Sequence, residues 1–307
     1  GLKMDNKFQE LTEHSGVELA QAAQGANEPV GQVTALQGNA FIVRADGTKI
    51  QASDGAPVYQ GDTIETGANG AIGITFADQS SFSLADSGQM TIDEMVYDPG
   101  QQTGSMNVSL LQGAFTFVSG NIAKTDPNAM TMTTPTSTIG IRGTAAGGRV
   151  DEAGVTTAAL LPEAAGGSGE MTIGNDAGSQ TINQPGQAIN IASTTAAPSA
   201  PFVMTPQQMG QAFGGALAAL PNAAQVIPQS VVAGAKQGLE QQQAAKAAAA
   251  EAEAAKAGAE AATEEAKAAA TNADAEAEAA AETQRAEEGI ARIGRPSGHQ
   301  YAVHAER

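Results

Sequence analysis

The sequence predicts a mainly β protein followed by a long Ala/Glu-rich α-helix. Three observations carry this. Between Gly31 and Thr144 short apolar runs alternate with Gly and Asp turns. In Ile72, Ile74 and Phe76 the apolar residues recur at every second position, the period of a strand with one buried face. From about Gln237 to Ile293 the chain is mostly Ala, Glu, Lys and Gln, strong helix formers with few β-branched residues among them.

The totals limit how much of the chain is globular. Its 307 residues could hold two ordinary domains, but aromatics are 4% and Trp is absent. Much of the 41% hydrophobic fraction is Ala, and larger apolar residues thin out after Met209. One core of roughly 150–170 residues is expected. The formal net charge of −18 opposes nucleic-acid binding, which needs clustered Lys and Arg, and it opposes adsorption to anionic lipid. With no cysteine, disulfides, thiolate metal sites and Cys nucleophiles are excluded. No run of ~20 apolar residues predicts a transmembrane segment. Phe8 to Ala20 is broken by Gln9, Glu10, Glu13, His14 and Glu18, so it does not read as a Sec signal.

In chain order, residues 1–29 read as a polar leader, with Val17, Leu19 and Ala20 able to form one short helix. Residues 30–203 read as the β-domain. Val33–Leu36 and Ala40–Arg44 flank a turn at Gly38-Asn39, and Asp46-Gly47 is a hairpin turn. Phe82 with Leu84, and Met90 with Ile92, repeat the alternation up to a loop at 97–104. It resumes at Val108, Leu110 and Leu111, then Phe115, Phe117 and Val118, then Met130, Met132, Ile139 and Ile141. Strands at this spacing indicate a sandwich, barrel or solenoid. Four further strands, Val155–Leu161, Met171–Ile173, Ser179–Ile182 and Gln187–Ile191, extend the core region 30–144 through 145–203. Residues 204–236 predict an amphipathic docking helix with Thr205 as N-cap and Pro206 at the first position. Met209, Phe213, Leu217 and Leu220 form its stripe, and Pro221 and Pro228 interrupt it. Residues 237–293 predict a helical spacer, with Gly258 and 271–274 as weak points. Residues 294–307 are expected to be disordered.

The chemistry offers few candidates. Histidine occurs only as His14, His299 and His304, outside the β-domain, so a His-based catalytic or metal site there is not expected. Lys49 and Lys124 are the only lysines between Val30 and Ala200, and neither sits in a nucleophile motif. An enzyme is not expected, nor is a bound cofactor. Acidic residues recur at turns: Asp46, Asp54, Asp62, Asp78, Asp86, Asp93, Glu94 and Asp98. Carboxylates of this kind suit Ca²⁺, with Asp46, Asp62 and Asp78 the candidates, but turn formation and solubility explain them better. Gly166-Gly-Ser-Gly-Glu-Met-Thr-Ile173 resembles a single calcium-binding nonapeptide with Met171 in place of Asp, and reads better as a loop feeding a strand. Gly140-Ile-Arg-Gly-Thr144 lacks the Gly-Lys-Ser/Thr of a phosphate loop, and Arg142 is expected to pair with a carboxylate.

An ordered set of motifs resembles the FecR domain. These are Gly31-x-Val33 with Gly38, then Asp46-Gly47, then Gly61-Asp-Thr-Ile-Glu-Thr-Gly67, then Ile74-x-Phe76-x-Asp78-x-Ser80. Leu111-Gln-Gly113-x-Phe115 and Thr133-Thr-Pro135-x-x-x-Ile139-Gly-Ile-Arg-Gly-Thr144 resemble its continuation. Where that family usually has Asp-Gly-Ser, this chain has Asp78-Gln79-Ser80. The resemblance implies an extracytoplasmic, solenoid-like β module. Its founding regulators relay an iron-uptake signal across the inner membrane, with a sigma-factor-binding domain and a transmembrane helix. This sequence shows neither, so the signalling role is not carried over. Free-standing relatives occur in envelope and exported proteins, some similar to the N-terminal part of large secreted adhesins. The expectation is therefore a secreted or periplasmic interaction or anchoring module with a protein or cell-surface partner, exported without an N-terminal Sec signal. The alternative is a periplasmic sensor that binds a protein or carbohydrate and signals.

Overall fold

Strands begin where the alternating pattern begins. The computed structural model describes residues 28–126, 128–167 and 169–293. The expected leader helix, His14, His299, His304 and the 294–307 tail lie outside these residues. Six short strands come first: β1 (Gly31–Gln37), β2 (Ala40–Val43), β3 (Lys49–Gln51), β4 (Pro57–Val58), β5 (Thr63–Thr66) and β6 (Ala71–Phe76). Two long ones follow, β7 (Ser81–Asp98) and β8 (Thr103–Val118), paired from Ser81 opposite Val118 to Asp98 opposite Thr103. Helix α1 (Ile122–Thr125) then returns the chain, so that β9 (Met130–Thr133) runs parallel to β8. The rest are β10 (Thr138–Arg142), β11 (Ala145–Val150), β12 (Thr156–Leu161), β13 (Glu170–Asn175), β14 (Gly178–Ile182), β15 (Gln187–Ile191) and β16 (Phe202–Val203).

Among the described residues these strands form one hydrogen-bonded sheet, with a path β14-β13-β10-β9-β8-β11-β12-β15-β16. Strand β7 joins that path to β5-β2-β3 and to β6-β1-β4. The sequence pattern suggests several short strands where β7 and β8 are each continuous. Register shifts at Ala85/Gln89, Gln89/Met90 and Ile92/Glu94 keep the pair together through the breaks in alternation. Asp86 and Ser87 take left-handed φ of 60° and 56° at the first of these.

The two faces of the sheet differ in side-chain size. One face gathers Ile42, Ile64, Ile72, Ile74, Phe82, Leu84, Phe115, Phe117, Met132, Ile141, Ile173 and Ile189 into the main core. Their strand neighbours on the opposite face are small: Ala71, Ala85, Ala114, Ala145, Ala159 and Ala188. The alternation at Ile72–Phe76 predicts a half-buried strand with Gly73 outward. Gly73 is buried instead, because a helix covers this second face.

That helix is α2 (Pro206–Ala218), followed by α3 (Ala223–Val226) and α4 (Gln229–Ile293). Thr205 caps α2 in a reciprocal box: the Gln208 N–H donates to Thr205 Oγ1 and the Thr205 N–H to Gln208 Oε1. Met209, Phe213, Leu217 and Leu220 bury against the small face, as their spacing predicts. A Cβ on Gly147 would stand 2.7 Å from the Phe213 ring, so only glycine lets the ring lie that low on β11. Phe213 is itself non-helical (φ −145°, ψ 25°) and kinks α2. Side chains of the sheet add donors to the helix carbonyls: Arg149 donates to Ala212 O at 3.2 Å, and Ser83 Oγ donates at 2.7 Å to Ala216 O, which also accepts from the Ala219 N–H at 3.1 Å.

The expected docking helix over 204–236 is thus three helices, broken at the prolines. The last of them starts at Gln229, before the expected spacer. Val231 and Ala235 of α4 are buried against α2. Gly210 on α2 meets the Ala235 backbone so closely that no side chain fits. The carboxamides of Gln207 and Gln237, and of Gln211 and Gln241, bond across the same contact at 3.3 and 3.1 Å.

The chain divides into two units, residues 1–243 and 244–307. In the second, every described side chain from Ala244 to Arg292 is exposed. The helix runs unbroken through Gly258 and 271–274, where the composition suggests fraying. Thr271 Oγ1 turns back to donate to Lys267 O at 2.9 Å. Phe213→Ala should destabilise the first unit by about 3–5 kcal/mol in urea unfolding, the cost of emptying a fully buried aromatic site. Ala262→Ser, in the exposed helix, should change it by less than about 0.5 kcal/mol.

Candidate functional site

The turn between β6 and β7 is built on Asp78, which is buried. Its Oδ1 accepts from the Ser80 N–H at 3.0 Å and from Ser80 Oγ at 2.5 Å. Its Oδ2 accepts from the Ile122 N–H at 3.2 Å, at the start of α1. The Asn121 N–H donates to Asp78 O at 2.9 Å. One carboxylate thereby ties the β6–β7 turn to the β8–α1 junction.

The Gly140–Thr144 motif closes against the same junction. The Gly143 N–H donates to Ala123 O at 3.0 Å. Ser119 Oγ donates to Thr144 O at 2.8 Å and accepts from the Thr144 N–H at 3.0 Å. Beyond it the Ala145 N–H donates to Glu163 Oε1 at 3.0 Å, and the Ala164 N–H to Val226 O of α3 at 2.7 Å.

Between these joints lies a cleft of about 340 Å³, lined by Gln79, Ser119, Lys124, Thr144, Glu163 and Gln225 among others. Gln79 holds a left-handed φ of 66°, which disfavours any residue with a Cβ. Among the described residues Lys124 forms no ion pair.

A second polar knot lies in the Thr133–Ser137 stretch. Thr136 Oγ1 donates to Gly154 O at 2.9 Å, and Thr156 Oγ1 donates to Thr134 Oγ1 at 3.0 Å. Among the described residues every buried side-chain polar atom has a partner.

The calcium candidates Asp46, Asp62 and Asp78 are not brought together; they sit on three separate turns. Asp62 is buried, pairs with Arg44 and accepts from the Tyr59 N–H at 2.8 Å. Asp46 accepts from the Thr48 N–H at 2.9 Å. Of the other turn acids, Asp98 accepts from the Gly100 N–H at 2.8 Å, Asp93 from Ser109 Oγ at 2.7 Å and Glu94 from Ser105 Oγ at 2.8 Å, while Asp86 pairs with the distant Arg149 at 3.0 Å. Among the described residues no group of three His, Cys, Asp or Glu could hold a metal ion. Met171, standing where a calcium repeat needs Asp, is a core residue of β13. Arg142 lies across from Glu170 in the β10–β13 ladder, 3.9 Å away, the carboxylate partner its sequence context suggests. Lys49 pairs with Glu65 at 2.6 Å over the Phe41 ring. Glu163 and Gln225 carry no motif signal, and only folding places them beside Lys124.

Two outcomes follow from these bonds. Asp78→Ala removes the acceptor of the buried Ser80 amide and hydroxyl, and should cost about 3 kcal/mol in denaturant unfolding. The Thr48 amide bond is the main cause that holds the Asp46 carboxyl below its ordinary 3.8. Its stabilisation is therefore present above 3.8 and is lost as pH falls through the lower, folded value. A thermal-unfolding pH series should show Asp46→Ala weaker than the native chain at neutral pH, with the difference closing in acid.

A family model described as FecR protein matches residues 62–162. A solved structure described as a cell surface anchoring domain shares 24% identity over 20% of this chain and 83% of its own, with a TM-score of 0.20. Two structures from Parabacteroides distasonis ATCC 8503, assigned as an anti-sigma factor, share 12% and 13% identity over 48% of this chain, each with a TM-score of 0.37. This chain spans 63% and 62% of their lengths. No curated protein matches in sequence. The Asp78 and Gly140–Thr144 joints and the family match fall on one sheet, and residues 62–162 of this chain carry a FecR domain.

Proposed function

We propose that this chain is a non-enzymatic, envelope-associated or exported bacterial module that anchors or engages a protein or cell-surface partner. It would resemble the N-terminal part of large secreted proteins. The FecR match at 62–162 carries the reading. The chemistry of the domain supports it. Active sites gather acids and bases whose environments are unsettled, and here the buried acids Asp62 and Asp78 are each fixed by turn bonds. The described helix beyond Gln243 supports a spacer role, since its Ala and Glu side chains offer little to bury.

A sensor that binds a ligand and signals is the second reading, and the cleft beside Gln79 favours it. Fractionating the native host and probing each fraction with an antibody tests both. Recovery in the envelope, the periplasm or the medium is expected. Recovery in the cytosol alone would overturn both readings.

A further inference from the structure

We infer that the cleft beside the β6–β7 turn binds a small zwitterion, a ligand carrying both an ammonium and a carboxylate, such as a free amino acid or a short peptide. The first observation is Gln79. Its φ of 66° is one that glycine adopts freely and a side chain resists. Strain held at a cleft wall points to a task for that side chain. Its carboxamide makes no hydrogen bond among the described residues, and neither does that of Gln225 across the cleft.

The second observation is charge. Lys124 and Glu163 line the same cleft with opposite signs, yet do not pair with each other. Glu163 is oriented through Oε1, which accepts from the Ala145 N–H, and Lys124 is exposed. A ligand with both charges satisfies both side chains at once. A ligand with one charge leaves the other unanswered.

The third observation is the shape of the site. Its floor is fixed by the reciprocal Ser119–Thr144 bonds. Val118 and Val226 supply short apolar wall, enough for an aliphatic fragment. Among the described residues no aromatic side chain lines the cleft, so they offer no stacking surface of the kind sugar rings favour. A volume of about 340 Å³ lies at the small end of ligand sites. The inference is independent of the anchoring reading: it concerns one cleft and is measured on the purified chain.

The test uses ¹⁵N-labelled full chain titrated with glycine, diglycine, triglycine, N-acetylglycine and glycinamide. Saturable amide shifts at Gln79, Ser119, Gly143 and Thr144 are expected with at least one of the first three. The best-binding length separates a free amino acid from a peptide. N-acetylglycine and glycinamide, each lacking one charge, should bind more weakly. Lys124→Ala and Glu163→Gln should each weaken binding about fivefold, the scale of a solvent-exposed ion pair. Gln79→Gly should raise the melting temperature by about 2–4 °C while weakening binding. A merely structural role for Gln79 predicts the first effect without the second. No saturable shift with any glycine peptide, equal binding of the single-charge probes, or unchanged binding in Gln79→Gly would each overturn the inference.

Discussion

The contact of α2 with the small face of the sheet is the constraint on which the rest of the first unit depends. A β-domain normally buries one face and solvates the other. Here the second face is floored by Ala and Gly, whose removal from water yields little for each residue. What they provide is proximity: the helix lies low enough for Phe213, Met209 and Leu217 to bury fully against strand backbone. Proximity also brings the polar side chains of the sheet within bonding distance of the helix carbonyls, which adds donors to those the helix end supplies itself. Ser83 and Thr116, opposite one another on β7 and β8, both donate to Ala216 O, and Arg149 donates to Ala212 O at the Phe213 kink. Asp86 then holds Arg149 in place at 3.0 Å. Apolar fit and polar capping are thus one arrangement, and neither would stand alone.

The polar knots explain why the recognisable motifs look as they do. Asp78 in Asp-x-Ser serves a turn and a distant helix start with one carboxylate. The Thr-rich stretch before Ile139 spends its hydroxyls on Gly154, Ser137 and Thr156. Gly140–Thr144 ends a strand and locks to Ser119. These polar motif residues are each held by a bond within the fold. A sequence likeness built on such residues reports architecture and says little about a ligand. The cleft side chains outside these motif bonds are Gln79, Lys124 and Gln225, together with Glu163, whose Oε1 accepts from the Ala145 N–H.

This division also accounts for what was legible in the sequence. Asp46-Gly47 marked its hairpin because a tight turn needs positive φ, and Gly47 has φ 88°. Thr205-Pro206 marked the start of α2 because the capping bonds are local. The large apolar residues at alternate positions marked the inner face. The outer face was silent, since Ala and Gly look the same whether a helix covers them or water does, so Gly73 read as outward. The true start of α4 was equally silent: Val231, Ala235 and Gly238 form too small a stripe to stand out before the Ala-rich run. The cleft draws on residues near 79, 119, 124, 143, 163 and 225. No window along the chain contains them together, and the fold alone makes them neighbours.

The helix α4 shows how a docked start can sustain an exposed run. Starting a helix is the unfavourable step, because several residues must be fixed before the first bond forms; adding residues afterwards costs little in an Ala-rich chain. The segment from Gln229 to Gln241 meets that cost through Val231, Ala235 and the Gly210 contact, where packing fixes the backbone. Propagation beyond Gln243 then needs only propensity, which Ala and Glu supply. The hydroxyls of Thr263, Thr271 and Thr283 each return to a carbonyl four residues earlier, so these weaker helix formers satisfy themselves locally. A change that lifts α4 from α2 removes the nucleus from which the remainder propagates, whereas a change within the exposed run leaves that nucleus intact.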